Sequence, residues 1–485
     1  MPARCFSPAA LLSALLLAAP IVAGPATPPP VAAQDAAQDA AQDAAQDAEP
    51  GATRAERGVP GSVLRSGPMV GHGTHRTTAL WLQTDEAAQV RIRYWNAARP
   101  DSSLSTEVVR TKEARDFAHT FHLTDLEPGQ TYEYEIVAEG DVVERPYPLR
   151  FQTQELWQYR REPPAFTVAF GSCAYINDPR FDRPGDPYGG GYQIFQSIAA
   201  LEPELMLWTG DNVYYRTVDF DAPLMMGDRY AHTRATPEMQ ELLATGHHYA
   251  TWDDHDYGPN NADRSYHLKG QSLEVFKRYW ANPSYGLPSE PGVFTKFSWN
   301  GVDFFLLDDR YHRSPNSAPR DANKTMWGSG QLQWLIDALT TSNAPFKVVV
   351  NGGQILNRYD RYETLARFPQ DYQRLISALT EREIEGVVFI SGDRHHTELL
   401  RRSEEGFYPL YDFTNSPLTA SAGGPQGPEA ENELRVDGTL VTQRNFGTLT
   451  FEGPREDRRL IMRTYDTGGK LLWERTVHAQ DLTAE

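Results

Sequence analysis

The sequence predicts an α/β fold preceded by a smaller all-β region, and three observations carry that expectation. From Phe166 onward the chain contains short, predominantly apolar runs ("FTVAF", "ELMLW", "VDFFLL", "FKVVV", "GVVFI") of the kind found in strands buried on both faces. Helix-like segments at 192–201, 272–280, 331–340 and 372–382 lie between them, so helices are expected to cover the sheet faces. Ahead of this, residues 62–155 show period-two alternation ("TTALWLQT", "VRIRYW") with no helix-length amphipathic pattern.

The chain begins with "MPARCFSPAALLSALLLAAPIVAG", one arginine and then an apolar run that is short for a bilayer span, so 1–33 reads as a secretory signal peptide with "VAA" at its end. Residues 34–61 carry the repeat "AQDAAQDAAQDAAQDA", which has too little apolar surface to pack and reads as a disordered linker. The 62–155 region resembles a fibronectin type III-like sandwich, with a Pro-Gly turn between Leu126 and Tyr132 and Tyr132 where a tyrosine corner would sit. Its "GHGTH" places His72 and His75 among glycines, as in a surface loop. Residues 165–480 form the expected α/β unit, with a hairpin turn at Asn300-Gly301 and three final strands, "NFGTLTFEG", "RLIMRTYD" and "LLWERTV", closing a sheet edge.

The formal net charge of −19 argues against a nucleic-acid-binding surface, which rests on basic footprints. It leaves room for a phosphate-bearing substrate, because a bound cation inverts the local sign. Two cysteines are present, and Cys5 leaves with the leader. The remaining thiol, Cys173, is open to several readings: a small buried hydrophobe, a reactive thiol, an intermolecular pair or a metal ligand.

The residues at the ends of the apolar runs are more specific. "FTVAF" leads into Gly171-Ser172-Cys173, "ELMLWT" into Gly210-Asp211-Asn212-Val213-Tyr214, and "HHYAT" into Trp252-Asp253-Asp254-His255-Asp256. "FKVVV" leads into Asn351-Gly352-Gly353-Gln354 and "GVVFIS" into Gly392-Asp393-Arg394-His395. An aspartate after a strand is often just a turn or cap residue. Five such ends together are better explained by a shared cleft at the carboxyl ends of the strands. Carboxylates packed as closely as Asp253, Asp254 and Asp256 repel unless a cation relieves them. Thiolate and phenolate suit ferric iron, whereas oxygen-only ligands suit a hard ion such as calcium.

These motifs, in this order, resemble the alkaline phosphatase D (PhoD-like) family of calcineurin-type metallophosphatases: "GSC", "GDNVYY", "WDDHDYGPN", "NGGQ" and "SGDRHH". The resemblance spans nearly the whole mature chain and implies an α/β/β/α metallophosphatase sandwich, a buried centre of Fe3+ with one or two Ca2+, and hydrolysis of phosphate mono- and diesters. Carried over by position, it makes Cys173, Asp211, Tyr214, Asp393 and His395 ligands of iron, with Asp211 bridging to the second metal. It makes Asp254 and Asn260 ligands of that second metal. Tyr215 competes with Tyr214 but sits one place late, and His396 has no matching role. His255 would face the phosphate as a proton donor, and Arg310 would hold a phosphate oxygen, an arginine that pairs equally well with Asp308 or Asp309. Asp253, Asp256 and Asn351 would brace the ligands. Two features depart from the family pattern. The leader shows only Arg4 where a twin arginine is common, and "NGGQ" lacks a histidine for the second metal, which favours calcium.

The expected protein is therefore a periplasmic or secreted monomer without a transmembrane segment, a two-metal hydrolase acting on small phosphate esters or lipids. Within the same chemistry, a phospholipase D-like or nuclease-like phosphodiesterase is the alternative. From another class, a calcium-dependent exported binding module is compatible with the acidic loops but has no need of the thiol.

Overall fold

Residues 63–182, 192–404 and 407–483 are described by a computed structural model. The leader and repeat expectations, 1–33 and 34–61, lie outside the described residues.

The all-β region begins with β1 (Leu64–Gly73), β2 (Thr78–Thr84) and β3 (Gln89–Asn96). Next come β4 (Ser103–Ser105), β5 (Val109–Arg110) and β6 (Ala118–Leu123), then β7 (Thr131–Ala138), β8 (Asp141–Val142) and β9 (Arg150–Gln152). One sheet runs β1-β2-β6 and the other β4-β3-β7-β8, with β5 on β3 and β9 on β7. Alternation in β3 sends Val90, Ile92 and Tyr94 inward against Leu80, Leu82, Phe121 and Ile136. The Glu127 backbone N–H donates to the Tyr132 hydroxyl at 2.9 Å, a corner between a tyrosine and the backbone upstream of it.

His72 departs from expectation. It lies inside β1 rather than in a surface loop, with Nδ1 3.1 Å from the Tyr249 hydroxyl. The flanking glycines serve close approach instead of a turn. A Cβ at Gly71 would sit 2.4 Å from Ala281 Cβ, and one at Gly73 would sit 2.2 Å from His247 Cε1.

The α/β region starts with β10 (Phe166–Gly171), β11 (Leu205–Thr209) and β12 (His247–Thr251). The next six strands are β13 (Thr295–Trp299), β14 (Val302–Leu306), β15 (Phe346–Val350), β16 (Val387–Ser391), β17 (Glu398–Glu404) and β18 (Phe407–Thr414). The last three are β19 (Asn445–Glu452), β20 (Arg459–Asp466) and β21 (Leu471–His478). They build two six-stranded sheets, β12-β11-β10-β19-β20-β21 and β13-β14-β15-β16-β18-β17. The hairpin is present: Asn300 and Gly301 connect antiparallel β13 and β14, both at positive φ, as a two-residue turn matched to strand twist requires.

Period-two packing explains the layering. Val168, Phe170, Leu205 and Leu207 join Phe304, Val348 and Phe389 of the other sheet in one core. Their neighbours Ala169, Met206 and Trp208 point the opposite way, onto Ile194, Ile198, Leu242 and Phe276 of the helices. On the second sheet the helices Gly328–Thr341 and Pro369–Glu381 contribute Leu332, Leu335, Leu375 and Leu379. The result is helices, sheet, sheet, helices, as the family resemblance implies.

Within each sheet the parallel strands end level. Gly171 pairs opposite Trp208, and Thr209 opposite Thr251. Leu306 lies opposite Val350, and Ser391 opposite Thr414. Bonds between the sheets tie these ends together: the Thr251 hydroxyl donates to the Leu307 carbonyl, and the Leu418 N–H to the Ser172 carbonyl at 2.8 Å. The five loops singled out in the sequence therefore emerge at one end of the sandwich.

Candidate metal centre

Three of the five loops, those after β10, β11 and β16, turn sharply as the strand ends, at the residue carrying the functional side chain. Cys173, Asp211, Asp393 and His395 have φ of 59°, 52°, 67° and 53°, in the left-handed region. For residues with a Cβ this costs about 1–3 kcal/mol each, the kind of strain that concentrates at functional sites. Gly210, at φ 97°, is glycine for a second reason: a Cβ there would lie 2.7 Å from Asp253 Cβ.

Thiol, phenol and imidazole meet around Asp211. Cys173 Sγ is 3.6 Å from Asp211 Oδ2 and accepts hydrogen bonds from the Ser172 and Ser416 hydroxyls at 3.4 and 3.3 Å. The Tyr214 hydroxyl donates to Asp211 Oδ2 at 3.2 Å and lies 3.4 Å from His395 Nε2. The His255 ring stacks on Tyr214 with centroids 4.2 Å apart. Asp211, Asp254 and His255 offer donor atoms that all lie within 4.8 Å of one another, and Asp211, Asp253 and Asp393 do the same.

The electrostatics of this cluster are those of a site built around positive charge. Burial, then the neighbouring carboxylates, pushes Asp211 well above the usual range, and burial raises Asp393 to about 7 and the Cys173 thiol to about 12. Burial alone would raise Asp254 too, but His255, Arg310 and the Asn261 N–H hold it at about 2. Burial lowers His255, and takes His395 down to about 3, so both rings are neutral with a lone pair to offer. Asp253 Oδ2, Asp393 Oδ2, Asp309 Oδ1 and His255 Nδ1 are buried with no hydrogen-bond partner among the described residues. Buried polar atoms are rarely left so. The donor set of thiol, phenol, carboxylates and neutral imidazoles fits a metal centre.

A supporting layer holds the ligands. Asp256 Oδ2 accepts from the Asn212 backbone N–H and side-chain amide at 3.1 and 2.6 Å, while its Oδ1 accepts from the Asp253 N–H at 2.7 Å. Asn351 accepts from the Trp327 indole at 2.9 Å and donates to the Gly353 carbonyl at 2.7 Å and to Asp309 Oδ2 at 3.4 Å. Tyr215 points away, into the cluster around Tyr230, which leaves Tyr214 as the phenol at the site. His396 also lies apart, bonded to the Arg394 carbonyl at 2.9 Å and near the Glu398 carboxylate at 3.6 Å. Asn260 is half-buried on the loop beyond Asp254, where the backbone N–H of its neighbour Asn261 donates to Asp254 Oδ2 at 2.6 Å.

Arg310 takes the carboxylate-pairing arrangement of the two that the sequence allowed. Instead of facing a phosphate position it is wholly buried, with its guanidinium held by Asp253 and by Glu363 at 2.7 Å, and with Asp309 at 3.7 Å. Two carboxylates, Asp253 and Glu363, engage its donors, and of the carboxylates named in the sequence as alternative partners Asp309 is near its guanidinium. Glu363 is a site residue that sequence reasoning misses. It also accepts from Arg313 at 2.9 Å and sits at φ 66°. Nothing in "RYETLARF" signals a buried acid, since its importance arises only when the loop folds back over Arg310.

The family model described as PhoD-like phosphatase matches residues 168–452, and a model described as a domain of unknown function (DUF7800) matches residues 61–156. Alkaline phosphatase D of Bacillus subtilis (strain 168) is 23% identical over 388 residues, covering 68% of this chain and 63% of that protein; the chain thus spans less than two thirds of this relative's length. Among solved structures, one titled as the structure of PhoD aligns with a TM-score of 0.68 at 17% identity, over 86% of this chain and 93% of that one. The purple acid phosphatase PPD1 from yellow lupin (Lupinus luteus) seeds aligns with a TM-score of 0.59 at 11% identity, over 85% and 74%.

Proposed function

Because the chain belongs to the PhoD-like phosphatase family, we propose that it is an exported phosphoric ester hydrolase working through an iron–calcium centre on mono- and diesters. Cys173, Asp211, Tyr214, Asp393 and His395 would hold ferric iron, and Asp254 and Asn260, with Asp211 shared, would hold calcium. Bound there, the metals supply Lewis acidity toward the phosphoryl oxygens and lower the pKa of the attacking water.

The chain's own residues do the rest. Asp256 and Asn212 fix the start of the acidic loop, so Asp253 and Asp254 keep their aim. Arg310 offsets the charge of Asp253, and Glu363 holds Arg310. His255 has a ring nitrogen, Nδ1, with no hydrogen-bond partner among the described residues, and near the leaving oxygen the ring would stabilise charge or donate a proton from its N–H. Ser172 and Ser416 direct hydroxyls at the Cys173 sulfur, favouring its charged form. Residues 62–155 form a separate region in front of a 165–480 catalytic unit, and the protein acts as a monomer in the periplasm or outside the cell. Among the described residues no helix is long and apolar enough to cross a membrane.

The observation that supports this reading best is the meeting of a buried thiol, phenol and imidazole at one carboxylate. Its test pairs p-nitrophenyl phosphate with bis(p-nitrophenyl) phosphate, each with and without calcium. Calcium-stimulated hydrolysis of both is expected. Turnover of the diester alone would favour the narrower phosphodiesterase, and calcium binding without hydrolysis of either would favour the binding module.

A further inference from the structure

A cavity of about 800 Å³ lies at the far end of the parallel strands from the acidic cluster. It is framed by the linker between the all-β region and β10, the hairpin turn at Asn300-Gly301, the segment before β15 and the β19–β20 turn. Strands of five residues separate it from the centre by about 17 Å, so a molecule bound here would not touch the catalytic residues. The volume falls in the range of small-ligand sites.

The chemistry of its walls narrows the ligand. Charge is largely spent: Asp303 is answered by Lys296 at 2.9 Å, and the terminal nitrogens of Arg458 donate to the carbonyls of Pro163, Pro164 and Gly453. Arg455 lies 5.6 Å over the Trp157 ring. Amides and aromatic faces remain. Among the described residues Asn300 Oδ1 is buried without a partner, and the exposed amides of Gln158 and Asn343 line the cavity with no side-chain hydrogen bond of their own. Tyr159 is 99% exposed and sits at φ 60°, a left-handed backbone that is an outlier for so bulky a residue. Strain that presents an uncovered ring beside a cavity points toward binding.

We propose that this cavity binds a saccharide. Side-chain amides both donate and accept, as sugar hydroxyls do, and the uncovered Tyr159 ring offers an apolar face for the C–H side of a pyranose ring. An anionic ligand would use only the donor half of those amides and, with Lys296 and Arg458 already engaged, would find Arg455 to answer its charge.

The test is isothermal titration of the full chain with maltotriose, cellotriose and N,N′,N″-triacetylchitotriose, with benzenesulfonate as an anionic ring for comparison. At least one trisaccharide should bind the wild type. Both the Gln158→Ala/Asn343→Ala double variant and Tyr159→Ala should bind it about tenfold more weakly at an unchanged thermal midpoint. Three results would overturn the assignment: no trisaccharide binding at millimolar concentration, equal affinity in the variants, or benzenesulfonate binding that Arg455→Ala abolishes while the sugars stay inert.

Discussion

Cys173 is the side chain whose surroundings make least sense without a metal. Burial holds its thiol protonated, two hydroxyls are aimed at its sulfur, and the backbone is left-handed to bring it there. If it is a metal-held thiolate, Cys173→Ala loses iron and turnover together, and measuring both on one preparation checks the link. Full turnover in that variant would reduce the thiol to packing. Arg310 makes the opposite prediction. If its role as a cation between Asp253 and Glu363 is structural, Arg310→Met should cost about 3–5 kcal/mol in urea unfolding, because Asp253 is left buried and unanswered while Glu363 keeps only Arg313. An unfolding midpoint equal to wild type with only turnover lost would restore the phosphate-holding role. The contrast shows which residues sequence can reveal. Cys173, Asp211 and His395 are legible because each comes just after an apolar strand in a specific motif. The partners of Arg310 are not, since Glu363 lies 53 positions further along the chain in a stretch without a motif.

At the scale of elements, the buried strands and amphipathic helices are readable because their periodicity reports their burial. The helix Lys269–Tyr279 starts only a few residues from where the pattern begins, and Pro369 opens its helix at a position proline favours. The helix Met226–Arg234 has no such signature, for a physical reason: all but one of its residues are buried, so it shows no polar face to set the period. β12 carries a prediction of its own. His248 accepts from the Trp208 indole at Nδ1 (3.0 Å), and its Nε2 lies 2.8 Å from the Leu242 carbonyl, a pairing that only the neutral ring completes. Burial lowers its pKa from 6.5 to about 3. The unfolded chain therefore binds the extra proton first, and the stabilisation, complete above pH 6.5, falls away as pH drops from there toward 3. Urea midpoints of wild type and His248→Asn, taken from about pH 7 to about pH 4, should converge as the solution is acidified. A difference constant across that range would contradict the assignment.

For the whole molecule, the α/β/β/α arrangement explains why the thiol, phenol, imidazole and acidic groups gather at one end. Level strand ends on two sheets, tied across by Thr251 and by the contact of Leu418 with Ser172, bring loops from distant parts of the chain into one buried cluster. No single loop could keep so many acids together, and the two sheets provide a rigid frame for them. The central claim is that this cluster is an iron site with a tyrosinate ligand. The most direct measurement is metal content together with the visible spectrum of the purified protein. The account predicts one iron per chain and a purple-brown tyrosinate-to-iron band that Tyr214→Phe removes and Tyr215→Phe keeps; a colourless, iron-free protein with full phosphoesterase activity would contradict it.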